Sequence, residues 1–460
     1  MRRLALLFAL ICVLTNGCVH RSTPSWETRL LPRHELATGT NALDRWRPLL
    51  PQLFPNDLAL IESLQILTSP MEDSDAAKDA ALITWLDSIA PVLNQLVVQP
   101  SEAFQLPAIS GPETPFPDHQ PLRQLAAVRL ASLKASWLAG NHPAAINAAV
   151  ENLRLARAFL KAQEGIVPLI QAAGVWQISL DGVYWLTRQD DLSSEAAALL
   201  QAELEADALL ARQALIRAFR GEFTFFTQVV IDRLPKTHDV NLLLSSIGSL
   251  GMAAPEAPEE GQRALTVPSR DPLDRGATLQ ASADDIGGWI NAFAAGRHPR
   301  GFSALHTHTR LRTYANELGA FLIYATEDAP PTEERIKAAD TIVATIENPV
   351  GKLFLVITTS QWEPLSAHVF RREAQRSALT GLLAWRRLGH PATWEQLIEA
   401  RLIPAAPADP FSDGALRYET SPLRARIWSL GENGIDDGGQ GSGENVGRPL
   451  DLTWPATSAR

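Results

Sequence analysis

The chain has 460 residues, of which 46% are hydrophobic and 20% charged, so it is long enough to bury more than one hydrophobic core. Its 51 acidic residues outnumber its 41 basic residues, and lysine and arginine never cluster beyond adjacent pairs. A surface that follows nucleic-acid phosphates needs clustered cations, so this composition argues against nucleic acid as a partner.

The N-terminus has the residue order of a secretory signal. Met1-Arg2-Arg3 precedes an apolar run from Leu4 to Leu14, and the short segment after it ends in Gly17. As a helix, this run would cover only about half of a ~30 Å hydrocarbon core. We therefore predict that residues 1–17 are a signal peptide, not a membrane-spanning helix, and that the protein is exported.

Both cysteines of the chain, Cys12 and Cys18, lie in or next to this signal, so the sequence after Cys18 can form neither a disulfide nor a thiolate metal cage. The pair Gly17-Cys18 resembles the processing site of bacterial lipoproteins, in which the cysteine is acylated and becomes the first residue. The resemblance implies lipidation of Cys18 and a location at the periplasmic or outer-membrane face. The alternative is an ordinary signal-peptidase site near Gly17, with Cys18 incidental.

Composition divides the remaining chain into five segments. Residues 18–42 are polar and broken by prolines, which predicts a tether to the membrane or an ordinary frayed terminus. Residues 43–234 form an N-terminal helical domain, and the proline- and glycine-rich residues 235–286 are predicted to be a flexible segment. A second helical region at 287–362 precedes a C-terminal module at 363–460.

Helical periodicity dominates the chain, which predicts a mainly α fold: an irregular array of helical hairpins followed by a small C-terminal α+β module. Between Asp75 and Val98, apolar residues recur at spacings of three and four, and Pro91 is expected to kink or split that helix. The apolar run Lys352 to Thr359 fits a strand or a buried helix. Further helices are predicted at 122–138, 144–160, 166–186, 194–226, 288–295, 303–325, 331–346 and 363–388.

The C-terminal module has its own local signals. Thr393 and Gln396 form a capping box, which predicts a short helix to about Arg401. Two strand-like pieces follow, Leu416 to Glu419 and Ala425 to Leu430. A helix leading into a small antiparallel sheet is therefore expected.

A glycine-rich acidic loop follows the second strand, between Gly431 and Gly439. Glycine allows backbone conformations that turn carbonyl oxygens inward. Asn433, Asp436 and Asp437 add hard oxygen ligands, which suit calcium better than a transition metal. The alternative is a solvated turn in which these side chains serve only the backbone geometry.

Residues from about Arg371 to Trp454 resemble the C-terminal part of the major pseudopilins of type II secretion. In that family a long helix leads into a small sheet, and a loop of this kind carries calcium. The resemblance implies Asn433, Asp436, Asp437 and Asp451 as calcium ligands. The matching residues are Leu397-Ile398, Asp409-Pro410-Phe411, Leu416-Arg417-Tyr418, Trp428-Ser429-Leu430-Gly431, Asn433-Gly434, Asp436-Asp437-Gly438-Gly439 and Asp451-Leu452-Thr453-Trp454.

The family's N-terminal prepilin segment is absent from this chain, so we do not expect it to polymerise as a pilin. The whole chain is also similar to a group of large bacterial exported proteins that end in such a module. This second resemblance implies an architecture but no activity.

No complete catalytic motif occurs in the sequence, but Glu222 lies among phenylalanines. A carboxylate buried there would have a raised pKa unless Arg220 pairs with it. Structural pairing with Arg220 is one interpretation, and an acid or base of an exported hydrolase is the other. The interpretation that we favour is a non-enzymatic, envelope-tethered scaffold or binding protein whose C-terminal module docks a secretion or surface-assembly partner.

Overall fold

The structure is a computed structural model that describes residues 41–55, 57–68, 80–97, 104, 120–163, 165–225, 230–236, 273–296, 298, 347–359, 362–421, 424–439 and 451–455. Within these residues the chain is mainly helical, with a small three-stranded antiparallel sheet near the C-terminus, which confirms the predicted fold class. The predicted signal, Cys18, nearly all of the tether and the helices predicted at 303–325 and 331–346 lie outside the described residues.

The described elements follow one another in chain order, and a short 3-10 helix, Leu50–Leu53, comes after the first of them. The helices are α1 (Ala42–Trp46), α2 (Leu58–Thr68), α3 (Ala80–Gln95), α4 (Gln120–Leu138), α5 (His142–Ala162), α6 (Ile166–Thr187), α7 (Ser194–Glu205), α8 (Leu210–Phe225), α9 (Arg275–Ala294), α10 (Pro349–Thr359), α11 (Trp362–Leu388) and α12 (Trp394–Glu399), and the strands are β1 (Arg417–Ser421), β2 (Arg424–Ser429) and β3 (Leu452–Pro455).

Capping residues set the starts of several helices. Asn141 accepts the Ala144 N–H before α5, and Ser193 accepts the Ala196 N–H before α7. The predicted capping box is present at α12, where the Thr393 hydroxyl accepts the Gln396 N–H and the Gln396 side chain accepts the Thr393 N–H.

The structure decides three points of the helical prediction. Pro91 lies inside a single helix, α3, because Leu86 and Ile89 before it and Val92 and Leu93 after it pack against the core. The helix predicted at 194–226 is two helices, α7 and α8. The apolar run Lys352 to Thr359, for which the sequence leaves both a strand and a buried helix open, is helical and belongs to α10.

The last residues of the predicted flexible segment 235–286 are helical in the structure. Helix α9 begins at Arg275, because the Asp274 side chain accepts the Ala277 N–H at 2.9 Å and so caps it. Gly276 lies in the first turn, where the backbone N–H groups have no partner within the helix, so a glycine disturbs little there.

Helix α6 lies at the centre of the helical array, packed against α4, α5, α8 and α11. Among the described helices it is the one long and apolar enough to cross a membrane, but more than half of its apolar stretch is buried within the protein. Its packing against four neighbouring helices explains why it is so apolar.

Helix α11 joins the helical array to the sheet. It packs against α6, α7 and α8 and also against β2 and β3, and a single hydrophobic core runs from Ala42 to Trp454. Buried charges on this helix are paired: Arg376 donates to Glu373 at 2.7 Å and to the Leu204 carbonyl at 3.2 Å. Apart from the end of the segment 235–286, the domain boundaries drawn from the sequence stay a prediction.

The three strands are ordered β1-β2-β3, and β2 pairs with both neighbours. Within β2, Ile427 lies opposite Trp454 of β3. The sheet approaches α11 very closely at Gly381, where an added Cβ would lie 2.7 Å from Ile427 Cδ1 and 2.8 Å from the Trp394 ring. This contact fixes the base from which the acidic loop emerges.

Candidate functional site

The acidic loop, residues 431–439, begins where β2 ends. Buried Asp409 sets this position, because its Oδ1 accepts the Ser429 hydroxyl at 2.7 Å and its Oδ2 accepts the Leu430 N–H at 3.0 Å. The loop then turns through four glycines with positive φ, a backbone conformation that side chains other than glycine rarely adopt. They are Gly431, Gly434, Gly438 and Gly439.

Polar side chains of the acidic loop bind other parts of the loop and β2. Asn433 donates to Asp437 Oδ2 at 3.0 Å, and Asn433 Oδ1 accepts the Ile435 N–H at 3.0 Å. Asp436 Oδ1 accepts the Trp428 indole N–H at 3.1 Å and a backbone N–H of the loop at 3.0 Å. In the solvated-turn alternative these side chains serve the backbone geometry of the loop, and these hydrogen bonds are consistent with that role.

Asp451 lies just before β3 and differs from the acidic residues of the loop in that its side chain is buried. Its Oδ2 accepts the Gly439 N–H at 2.8 Å, whereas its Oδ1 is buried with no hydrogen-bond donor within the part of the chain that the structure describes. Burial raises the pKa of Asp451, and the negative charges of Asp436 and Asp437 raise it further, although backbone N–H groups of the loop oppose this. The charges of Asp436 and Asp437 therefore act on the buried Asp451 carboxylate, while Asp436 also pairs with Arg417 of β1 at 3.6 Å.

The four predicted calcium ligands thus lie in one region of the molecule. Their donors are hard oxygens, and the unpartnered Oδ1 of Asp451 is an atom that a cation would satisfy. Among the described residues, however, no three acidic, histidine or cysteine side chains are arranged as a metal-binding group. The oxygen chemistry fits calcium, while Asn433 and Asp436 stay engaged in hydrogen bonds of the loop.

The acidic loop is also tied to the helical array. Glu432 forms an ion pair with Arg371 of α11, although the two residues are 61 positions apart. Nothing in the local sequence pattern indicates this contact, because periodicity reports only on neighbours within one element.

The structure places Glu222 and Arg220 on α8, but no ion pair joins them. The predicted pairing is wrong, because residues two apart on a helix point about 200° away from each other. The Glu222 carboxylate instead accepts the backbone N–H of Ile166, the first residue of α6. Burial raises the pKa of Glu222 to about 7, against the effect of that N–H, while Arg220 Nε is buried without an acceptor among the described residues.

Fold and loop together define the class: a mainly helical protein that carries a small antiparallel sheet and an acidic, glycine-rich loop near its C-terminal end. No family model matches the chain, and no curated protein or solved structure matches it.

Proposed function

We propose that the protein is a non-enzymatic scaffold or binding protein of the bacterial envelope. Residues 1–17 would direct export, and lipid on Cys18 would hold the body at the membrane. The C-terminal module, with its pseudopilin-like loop, docks a secretion or surface-assembly partner. The residue order of the signal and the resemblance of the module support this proposal.

The observation that carries the proposal is the buried Asp451 carboxylate beside Asp436 and Asp437. Such a group is costly to leave charged without a counter-ion. Calcium held by these carboxylates with Asn433 would offset the repulsion, and it would fix the loop as part of a docking surface. Calcium accepts about six to eight oxygen ligands in flexible geometry, which suits a loop rich in carbonyl groups.

Calcium titration of the purified full chain tests this proposal. We expect saturable heat in calorimetry, and a melting temperature that rises by a few degrees when calcium is at about 100 times its dissociation constant. Magnesium at the same ionic strength should give a smaller effect, because it requires stricter octahedral geometry.

Asp451→Asn is the informative variant for this titration, because it removes one charge and keeps the size of the side chain. It should lose the calcium-dependent rise, whereas Glu399→Gln, at an exposed acid of α12, should keep it. If the native chain shows neither heat nor a thermal shift, the loop is a solvated turn and the proposal loses the observation that carries it.

The anchor has a separate test. In a bacterial host fed labelled palmitate, the native chain should carry the label and sediment with membranes. Cys18→Ala should lose both properties, because the sulfur is the acylated atom. Label that persists in Cys18→Ala would contradict anchoring through this residue.

An exported hydrolase is the second candidate function. It is favoured by one observation, the pKa of Glu222 near neutrality, which suits a general acid or base. A panel of ester, glycoside and peptide substrates should then show hydrolysis that Glu222→Gln abolishes. Hydrolysis that is unchanged in Glu222→Gln would exclude this residue as the catalytic group.

A further inference from the structure

Helix α11 carries three basic side chains, His368, Arg371 and Arg372, on one face. Their spacing of three and four residues brings them together on the helix surface. All three are half-buried, and α11 packs against α6. We call these three residues the basic face of α11.

The two arginines of the basic face differ in their partners. Arg371 pairs with Glu432 of the acidic loop. Arg372 donates from Nη1 to Gln375 Oε1 at 3.2 Å, but its Nε is buried and donates to no acceptor in the described chain. A buried N–H of a charged group without an acceptor is costly, so this atom indicates a missing partner.

A carboxylate lies near Arg372 but does not bind it. Asp181 of α6 attracts Arg372 electrostatically, yet it accepts instead from Gln375 Nε2 at 2.8 Å. The buried Gln375 amide therefore stands between the two charges, with its oxygen toward Arg372 and its nitrogen toward Asp181. Of the Arg372 donors, Nε is thus the one that is buried without an acceptor among the described residues.

His368 completes the basic face as an uncharged group. Burial and the positive charges of Arg372 and Arg371 lower its pKa to about 4, so the imidazole is neutral at physiological pH. A neutral imidazole has one N–H donor and adds no further repulsion to the two arginines.

We propose that the basic face of α11 binds an oxyanion, the carboxylate or phosphate group of a small ligand. For this the Arg372 side chain would turn so that Nε, buried in the unliganded chain, faces the ligand, and its planar guanidinium would then donate two parallel N–H bonds to such a group. Arg371 supplies a second positive charge one residue away, and His368 supplies an N–H donor. The proposal does not depend on calcium binding by the acidic loop.

Calorimetric titration of the purified full chain with inorganic phosphate, and separately with succinate, tests the site. Both titrations use calcium-free buffer at constant ionic strength set with chloride, because screening alters weak ionic binding. We expect saturable binding of one anion. Arg372→Lys, which keeps the charge but loses the forked donors, should weaken binding roughly tenfold, and Arg372→Gln should abolish it.

Arg123→Gln, at an exposed arginine on α4, is the matched control and should bind as the native chain does. Binding of phosphate alone would assign a phosphate ligand, and binding of succinate alone a carboxylate ligand. The proposal is overturned if neither anion binds saturably or if Arg372→Lys binds like the native chain. If Arg372→Gln does not fold, Arg372→Lys and His368→Ala replace it, and both should bind the anion more weakly than the native chain.

Discussion

Glu222 and Asp451 are two carboxylates whose pKa values the fold raises in different ways. For Glu222 the cause is burial, against the opposing effect of the Ile166 N–H. For Asp451 burial is reinforced by the charges of Asp436 and Asp437. The first residue therefore reports on packing between α8 and α6, and the second on the charge balance of the acidic loop.

Glu222→Gln should reduce the pH dependence of stability. Since the folded pKa of about 7 exceeds the ordinary 4.5, the native state binds the proton more tightly than the unfolded state. The free energy of unfolding of the native chain should therefore fall as pH rises between these values, by about 2 kcal/mol from this group. Urea unfolding at pH 5 and pH 8 measures the difference.

Glu399→Gln, at an exposed position, serves as the control for that comparison. Its pH dependence should match that of the native chain. A Glu222→Gln variant that loses as much stability between pH 5 and pH 8 as the native chain does would contradict the assigned pKa.

At the scale of elements, Gly381 is where α11 meets the sheet. Gly381→Ala should destabilise the protein by about 1–3 kcal/mol, because the new methyl group would overlap Ile427 and the Trp394 ring. Gly174→Ala is the matched control in α6, where nothing lies within 4 Å of the new carbon. That variant should gain up to about 1 kcal/mol from helix propensity. Thermal and urea unfolding of both variants should show that the first loses stability and the second gains it.

Elements with strong local signals could be predicted from the sequence. Periodicity identified α4, α5, α6 and α11 to within a few residues, and Thr393 and Gln396 identified the start of α12. Strand β3 was missed as a strand because its four residues form one only by pairing with β2. The start of α9 was missed because prolines and glycines nearby outweighed a single capping aspartate.

The candidate site was predictable only in part, for the same reason. Composition identified the oxygens of the acidic loop, but local patterns do not show which of them are already used. The unpartnered Oδ1 of Asp451, the pair Glu432–Arg371 and the unpartnered Nε of Arg372 all depend on how the surrounding segments pack.

At the scale of the whole molecule, the shared core predicts one cooperative unfolding unit. Helix α11 covers α6 and α7, so deleting residues 362–460 should expose their apolar faces and prevent stable folding of the remainder. We expect a single calorimetric transition for the full chain, and rapid proteolysis with no sharp transition for the truncated one. A truncated chain that melts sharply near the native temperature would show that the helical array folds alone.

Helix α11 has 27 residues and is about 40 Å long. Every residue from Glu373 to Trp385 is buried, so this stretch contacts neighbours on all its sides. Inserting one residue there would rotate everything beyond it by about 100° and shift it by about 1.5 Å, so contacts with the helical array and with the sheet would be lost together. Changes of chain length should therefore accumulate in the connecting loops, while the number of residues between Glu373 and Trp385 stays fixed.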